Sequence, residues 1–173
     1  ARLNAGENAP QRECADLSEL ALHVAREFEV FAETHQRKLI LDLAPAPLSC
    51  NIDEIGILLR NLVDNALRYT QQNGRVRIRC GCVHTDTGPA AHVEVADDGP
   101  GVPASEHDAI FRRFHRVPGN GGRGSGIGLS LVAGIARLHQ ATITTGTGID
   151  GRGFSVRVQF AAAPPCPSAD DRP

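Results

Sequence analysis

The stretch Asn51 to Thr70, NIDEIGILLRNLVDNALRYT, decides how the rest of the chain is arranged. Its apolar residues Ile52, Ile55, Leu58, Leu59, Leu62, Val63, Ala66 and Leu67 recur at intervals of three and four. That spacing predicts an amphipathic helix with one face in a core. Asn51 followed by Glu54 has the form of a capping box, with Asn in place of Ser or Thr. Off the apolar stripe, Asn61 and Asn65 are four residues apart, with Arg68 close to a further turn along, so all three project from one face. Asparagine in a helix interior costs roughly 0.5–0.7 kcal/mol relative to alanine, so two of them stacked beside a cation point to a polar site. A carboxamide oxygen is a hard, neutral donor that suits magnesium, which takes few protein ligands beside waters and phosphate oxygens. A solvated helix face would look the same, and these three residues alone leave both readings open.

Composition narrows the class. A chain of 173 residues with 41% apolar and 22% charged side chains predicts one globular domain with a real core. The net charge of −2 gives no reason to expect nucleic acid as a partner. No signal peptide and no apolar run approaching about 18–20 residues is present. The five cysteines lack metal-ligand spacing, and Cys80 and Cys82, two apart in a strand-like run, read as packing residues.

Outward from the central helix, residues 1–15 carry no periodicity and read as a linker. Residues 16–35 predict a helix capped by Asp16 or Ser18. Leu39 to Leu43 alternates as a short strand closed by Pro45 and Pro47. Beyond Thr70, Arg75 to Val83 and Ala91 to Asp97 alternate as strands joined by a loop over 85–89. A helical patch over Ser105 to Phe114 precedes a glycine-rich tract, Pro118 to Gly128. Ile127, Leu131, Ile135 and Leu138 mark a further amphipathic helix. Two alternating runs over 141–147 and 153–160 form a hairpin, and residues 161–173 read as a disordered tail. The sum is an α/β two-layer sandwich over residues 16–160, with a mixed, mostly antiparallel sheet and about three helices on one face.

Three further motifs bear chemistry. Asp97-Asp98-Gly99-Pro100-Gly101 stands where a strand stops. An Asp there can accept a hydrogen bond from an exocyclic amine, and its glycines let the backbone approach a flat ring; a plain Asp-Gly turn has the same sequence. Gly124-Ser125-Gly126-Ile127-Gly128-Leu129 opens a helix, where successive unblocked N–H groups suit phosphate oxygens. The flexible composition before it argues against a rigid dinucleotide-binding turn, which needs a strand directly upstream. Between them, Phe111 and Phe114 read as core, while Arg116 stands at the mouth of the glycine tract, within reach of a terminal phosphate.

In this order, NxxxNAxxY, DxGxG, FxxF and GxGxGL resemble the ATP-binding catalytic domain of bacterial sensor histidine kinases, part of the ATPase group shared with gyrase B, Hsp90 and MutL. The wording RNLVDNALRYT and GSGIGLSLV looks most like two-component receptors of the quorum- and polymyxin-sensing (PmrB/QseC-like) type. The resemblance implies a Bergerat-type ATP-binding fold and the cofactors ATP and Mg2+. It implies magnesium on Asn65, magnesium or phosphate on Asn61, and phosphate on Arg68, where the family usually has Lys. It implies that Tyr69 lies against the adenine or ribose and that Asp97 reads the adenine amine, with Gly99 and Gly101 shaping the pocket. Arg116 would contact the γ-phosphate, and Gly124, Ser125, Gly126, Ile127, Gly128 and Leu129 would form the second glycine box.

Two departures qualify the resemblance. None of the seven histidines lies in the family's phosphoacceptor pattern; His107-Asp108 begins it but continues Ala-Ile-Phe-Arg. The acceptor is therefore expected on a dimerising helical domain absent from this chain, which leaves a monomer here and a homodimer in the parent. Family habit adds a downstream response regulator and a cytoplasmic location in an inner-membrane receptor. The second departure is Asn61, at the position where hydrolytic members of the group carry a water-activating glutamate. Its carboxamide cannot serve as a base, which favours phosphoryl transfer over ATP hydrolysis. A serine kinase or nucleotide switch of the anti-sigma-factor type would use the same pocket.

Overall fold

A computed structural model describes residues 11–118 and 126–162. The chain runs β1 (Glu13–Asp16), α1 (Leu17–Thr34), β2 (Lys38–Leu43), β3 (Pro47–Cys50), α2 (Ile52–Tyr69), β4 (Arg75–Thr85), β5 (Gly88–Asp97), two 3-10 turns, α3 (Gly128–Leu138), β6 (Thr142–Thr147) and β7 (Phe154–Gln159). The main sheet has the order β2-β4-β5-β7-β6; β2 lies parallel to β4 and the other neighbours are antiparallel. Val76, Ile78, Cys80, Val93, Val95, Val156 and Val158 make its buried face, against which all three helices contribute apolar side chains. The expected two-layer α/β sandwich is the architecture found.

Helix α2 owes its position to its two ends and its stripe. The Asn51 side chain accepts from the Glu54 N–H at 3.0 Å, the N-cap half of the predicted box. The second half is absent: Glu54 turns instead toward His139 Nε2, 3.7 Å away. Ile55, Leu58, Leu59, Leu62, Val63, Ala66 and Leu67 are buried, each fully buried Leu or Ile being worth about 1.5–3 kcal/mol over the exposed state.

Several expectations need correction. Residues 13–15, expected as linker, join Asp16 in a strand paired antiparallel with Pro47–Cys50, so Pro47 opens a strand rather than closing one. The pairing starts at a strand end, where the missing proline N–H is tolerated. Strands β4 and β5 continue their ladder to Thr85 and Gly88, leaving a two-residue hairpin turn where a longer loop is expected. Ser105 to Phe114 forms 3-10 turns rather than a helix. Phe114, expected in the core, is 67% exposed because its positive φ of 64° turns the chain outward. Leu131 and Leu138 are likewise exposed, and Val132, Ile135 and Ala136 make the buried stripe of α3. Cys80 is core, whereas Cys82 is exposed beyond it. The parts of the expected linker and tail at 1–10 and 163–173 lie outside the described residues.

Asp16 ties the small ribbon to α1. Its Oδ1 accepts from the Ser18 N–H at 2.9 Å, the Ser18 hydroxyl at 2.7 Å and the Ala46 N–H at 3.0 Å. Burial pushes its carboxyl up, but these bonds outweigh burial and hold it below the ordinary value. Stability from such a group is present above the unfolded value and lost as pH falls through the folded one. Asp16→Ala should therefore cost about 1–2 kcal/mol at neutral pH, less in acid, as read by urea denaturation at both pH values.

Candidate functional site

The face of α2 opposite the core carries Asn61, Asp64, Asn65 and Arg68, and with Tyr69 they line a cavity of about 210 Å³. Asn61 and Tyr69 are eight residues apart, about 12 Å along the helix axis, so they mark different ends. At the Tyr69 end stands Asp97, the last residue of β5, with Gly101, Val102 and Phe154. At the Asn61 end the chain enters α3 through Gly126, Gly128 and Leu129, and His115, Arg116, Val117 and Ile110 complete the lining.

The Asp97 end is built by backbone. Its Oδ1 accepts from the Gly99 N–H at 2.9 Å and the Phe154 N–H at 3.3 Å, leaving Oδ2 to meet whatever enters. Gly153, at φ 78°, passes so close that a Cβ would lie 2.2 Å from the Asp97 carbonyl oxygen. Only glycine permits that approach and that backbone conformation. Asp97 is 4% exposed, and its burial pushes the carboxyl up to about 6, against the pull of the two N–H donors. The neighbouring Asp98 behaves oppositely. Burial raises it, but the Arg75 N–H and guanidinium, at 2.8 and 3.0 Å, hold it below the ordinary value.

The Asn61 end is polar and open. The Asn61 amide group donates to the Ile57 carbonyl at 2.8 Å, which directs Oδ1 to the α3 entrance. A Cβ on Gly128 would sit 3.0 Å from that oxygen. Among the described residues no side chain caps α3, whose N-cap is Ile127, and the backbone N–H groups of a helix's first turn suit an anion. The oxygen donors gathered on α2, Asn61 and Asn65 beside Asp64, suit a hard cation rather than zinc. Arg68 donates through Nε to Asp64 Oδ2 at 2.8 Å, and this bond to the carboxylate keeps its guanidinium more firmly protonated than usual.

Of the residues singled out from sequence, Asn61, Asn65, Arg68, Tyr69, Asp97, Gly101, Arg116, Gly126, Gly128 and Leu129 line this one cavity. Gly99 and Ile127 do not line it; Gly99 fixes the Asp97 carboxylate and Ile127 precedes the first turn of α3. Gly124 and Ser125 lie outside the described residues. The sequence reading omits Asp64, Val102, Ile110, His115, Val117 and Phe154. Asp64, one residue before Asn65 and four before Arg68, had the spacing to be found. Phe154 had none, because it reaches Asp97 through the register of β5 with β7.

The model of the histidine kinase-, DNA gyrase B- and HSP90-like ATPase family matches residues 50–164. Sensor protein kinase PmrB of Pseudomonas aeruginosa is 44% identical over 102 residues, 58% of this chain and 20% of that protein. Sensor protein QseC of Salmonella typhi is 40% identical over 106 residues, 61% of this chain and 22% of that protein. The chain thus spans about a fifth of the length of these relatives. Among solved structures, the catalytic domain of histidine kinase ThkA has a TM-score of 0.74 at 24% identity, over 86% of this chain and 94% of that one. The mycobacterial sensor histidine kinase MprB has a TM-score of 0.72 at 22% identity, over 86% and 96%. These two likenesses are of fold. Among the described residues no helix is long and apolar enough to cross a membrane.

The raised Asp97 carboxyl has a stability consequence. Its folded-state value lies above the ordinary 3.8, so the native state binds the proton more tightly. The stability it contributes is full below about pH 4 and is lost as pH rises through about 6. Asp97→Asn, neutral throughout, should gain on the parent by about 2–3 kcal/mol between pH 4 and 7. Urea denaturation across that range checks it; a constant difference would mean the carboxylate is not desolvated.

Proposed function

The chain belongs to the histidine kinase-, DNA gyrase B- and HSP90-like ATPase family, and from that membership we propose that it is the ATP-binding catalytic part of a two-component sensor histidine kinase. It holds Mg-ATP and presents the γ-phosphate to a histidine on a separate, dimerising helical domain. What carries this reading is the opposite chemistry of the two cavity ends: a buried carboxylate at one, and at the other a helix start that lies against Asn61, with Asn65 in the same lining.

The adenine amine donates to Asp97 Oδ2, whose carboxylate Gly99 holds in place, while Gly101 lets the ring lie close to the backbone and Tyr69 flanks it. The phosphates reach the first turn of α3, with Arg68 and Arg116 supplying charge-assisted donors. Magnesium accompanying the nucleotide would be held by the side-chain oxygens of Asn65 and Asn61, and would neutralise phosphate charge. In the transfer, a nitrogen of the acceptor imidazole forms a bond to the γ-phosphorus as the bond to the β–γ bridging oxygen breaks, and ADP departs. The contribution of this chain is positioning and charge neutralisation, the usual content of phosphoryl-transfer catalysis. Asn61, as a carboxamide, cannot act as a base and Asp64 is engaged by Arg68, which favours transfer over hydrolysis. The parent is a homodimeric membrane receptor that passes the phosphoryl group to a response regulator.

Titration calorimetry with ATP, with and without magnesium, tests this reading. Binding should depend on magnesium and fall at least tenfold in Asn65→Ala, and magnesium-independent binding would remove that residue's role. Arg68→Ala should weaken ATP more than adenosine; equal losses would count against a phosphate contact. Because the Asp97 carboxylate must be ionised to accept the amine, ATP affinity should decline below about pH 6. Asp97→Asn, whose amide group opposes the adenine amine, should abolish most binding at every pH.

A further inference from the structure

His107 begins a phosphoacceptor-like pattern that the following residues do not complete, yet its surroundings give it another task. Its ring stands among three elements of the Asp97 end of the cavity. Nε2 lies 2.9 Å from the Val102 carbonyl oxygen, and Nδ1 lies 2.9 Å from the Thr145 hydroxyl in β6. A carbonyl oxygen can only accept, so Nε2 donates to Val102, while Nδ1 pairs with the Thr145 hydroxyl, a group able to donate or accept. The ring also meets Phe154 edge to face, with centroids 5.1 Å apart. Both ring nitrogens are therefore engaged, and each partner belongs to a different segment.

Two of those segments line the cavity directly, since Val102 and Phe154 are part of its wall. Val102 follows the Asp97-to-Gly101 turn, and its carbonyl is tethered back by a residue five positions later. Phe154 gives its backbone N–H to Asp97 Oδ1, and His107 packs against the ring of that same residue. The imidazole thus links the turn after β5, the start of β7 and the edge strand β6, the segments surrounding the base-reading carboxylate.

Resting on the nucleotide reading above, we propose that His107 is a positioning residue for adenine recognition, fixing the distance between the Val102 and Phe154 walls so that Asp97 meets a purine carrying an exocyclic amine. It does not touch the reacting phosphate and takes no part in transfer. Loss of the tether lets the wall at Val102 drift, and the penalty falls on the base rather than on the phosphates, which are held at the opposite end.

The test compares His107→Leu and His107→Gln with the parent chain. Leucine keeps bulk against Phe154 but makes neither hydrogen bond; glutamine can donate to Val102 and accept from Thr145. With ATP and GTP as probes in titration calorimetry with magnesium, His107→Leu should weaken ATP about fivefold to tenfold, the scale of one or two hydrogen-bond partnerships. GTP should change less than about twofold on the same scale, so the preference for ATP narrows, and His107→Gln should recover part of it. An equal loss for both nucleotides, or unchanged ATP affinity in folded His107→Leu, overturns the proposal. Amide hydrogen exchange of the nucleotide-free chain supplies the second arm. Gly99, Gly101 and Phe154 should exchange faster in His107→Leu while the α1 amides are unchanged. Unchanged exchange at all three overturns the tether even if the parent chain binds no nucleotide, an outcome that would separately dismiss the nucleotide reading.

Discussion

The antiparallel seam between α2 and α3 is the constraint on which the rest of the molecule depends. It is clamped at both ends. At one, the Asn51 N–H donates to His139 Nε2 at 3.2 Å, while Nδ1–H of the same ring donates to the Ile135 carbonyl at 3.0 Å. The imidazole therefore joins the start of one helix to the end of the other. At the other end, Gly128 approaches Asn61 so closely that even a methyl group would be tight. Along this seam Leu58, Leu62, Val132 and Ile135 share the core. The seam sets where the uncapped start of α3 lies relative to the asparagines of α2, and neither feature alone makes an anion or cation site. A ring bonded through both nitrogens is fixed in both directions, and His139 is buried between the two helices.

The cavity is electrostatically asymmetric, and each end follows from backbone rather than from a chosen charge. Asp97 is pushed up because the sheet and Gly153 wrap it. Asp98, one residue on, faces Arg75 and is held down. Two adjacent carboxyls with opposite displacement arise because alternate residues at a strand end point to opposite faces. The helix-facing one borders a cavity; the other belongs to a salt-bridged surface where Arg75 also reaches Asp150.

Much of this was legible in the sequence wherever a local period carried the information. Helix α2 declared both of its faces, because burial and the polar site repeat at helical spacing along one segment. Asp97 was legible because a strand that stops in Asp-Asp-Gly-Pro-Gly is unusual punctuation. The FxxF spacing misled for Phe114, since a single positive φ reverses the direction a side chain takes, and no residue pattern announces it. On α3 the spacing of Leu131 and Leu138 fitted the helix but not the seam, whose position depends on α2. Phe154 and Val102 were illegible as lining residues because their places are set by strand register and turn closure over tens of residues. The small β1–β3 ribbon was missed because its four-residue strands are too short to show alternation, and its Pro47 reads as a terminator.

One closure has a bearing on how this chain tolerates change. The Phe114 N–H donates to the Gly126 carbonyl at 2.8 Å, and Gly126, at φ 71°, sits so near that a Cβ would lie 2.9 Å from the Phe114 Cα. The two ends of the segment between them are thereby stapled together, with His115 beside the staple held by Glu106 at 2.6 Å. Gly126 is thus fixed twice over, by the bond its carbonyl accepts and by the side chain it lacks. An alanine there would have to adopt a left-handed backbone and push Phe114 away at once, so a single methyl group would be felt at the entrance of α3 as well as in the turn.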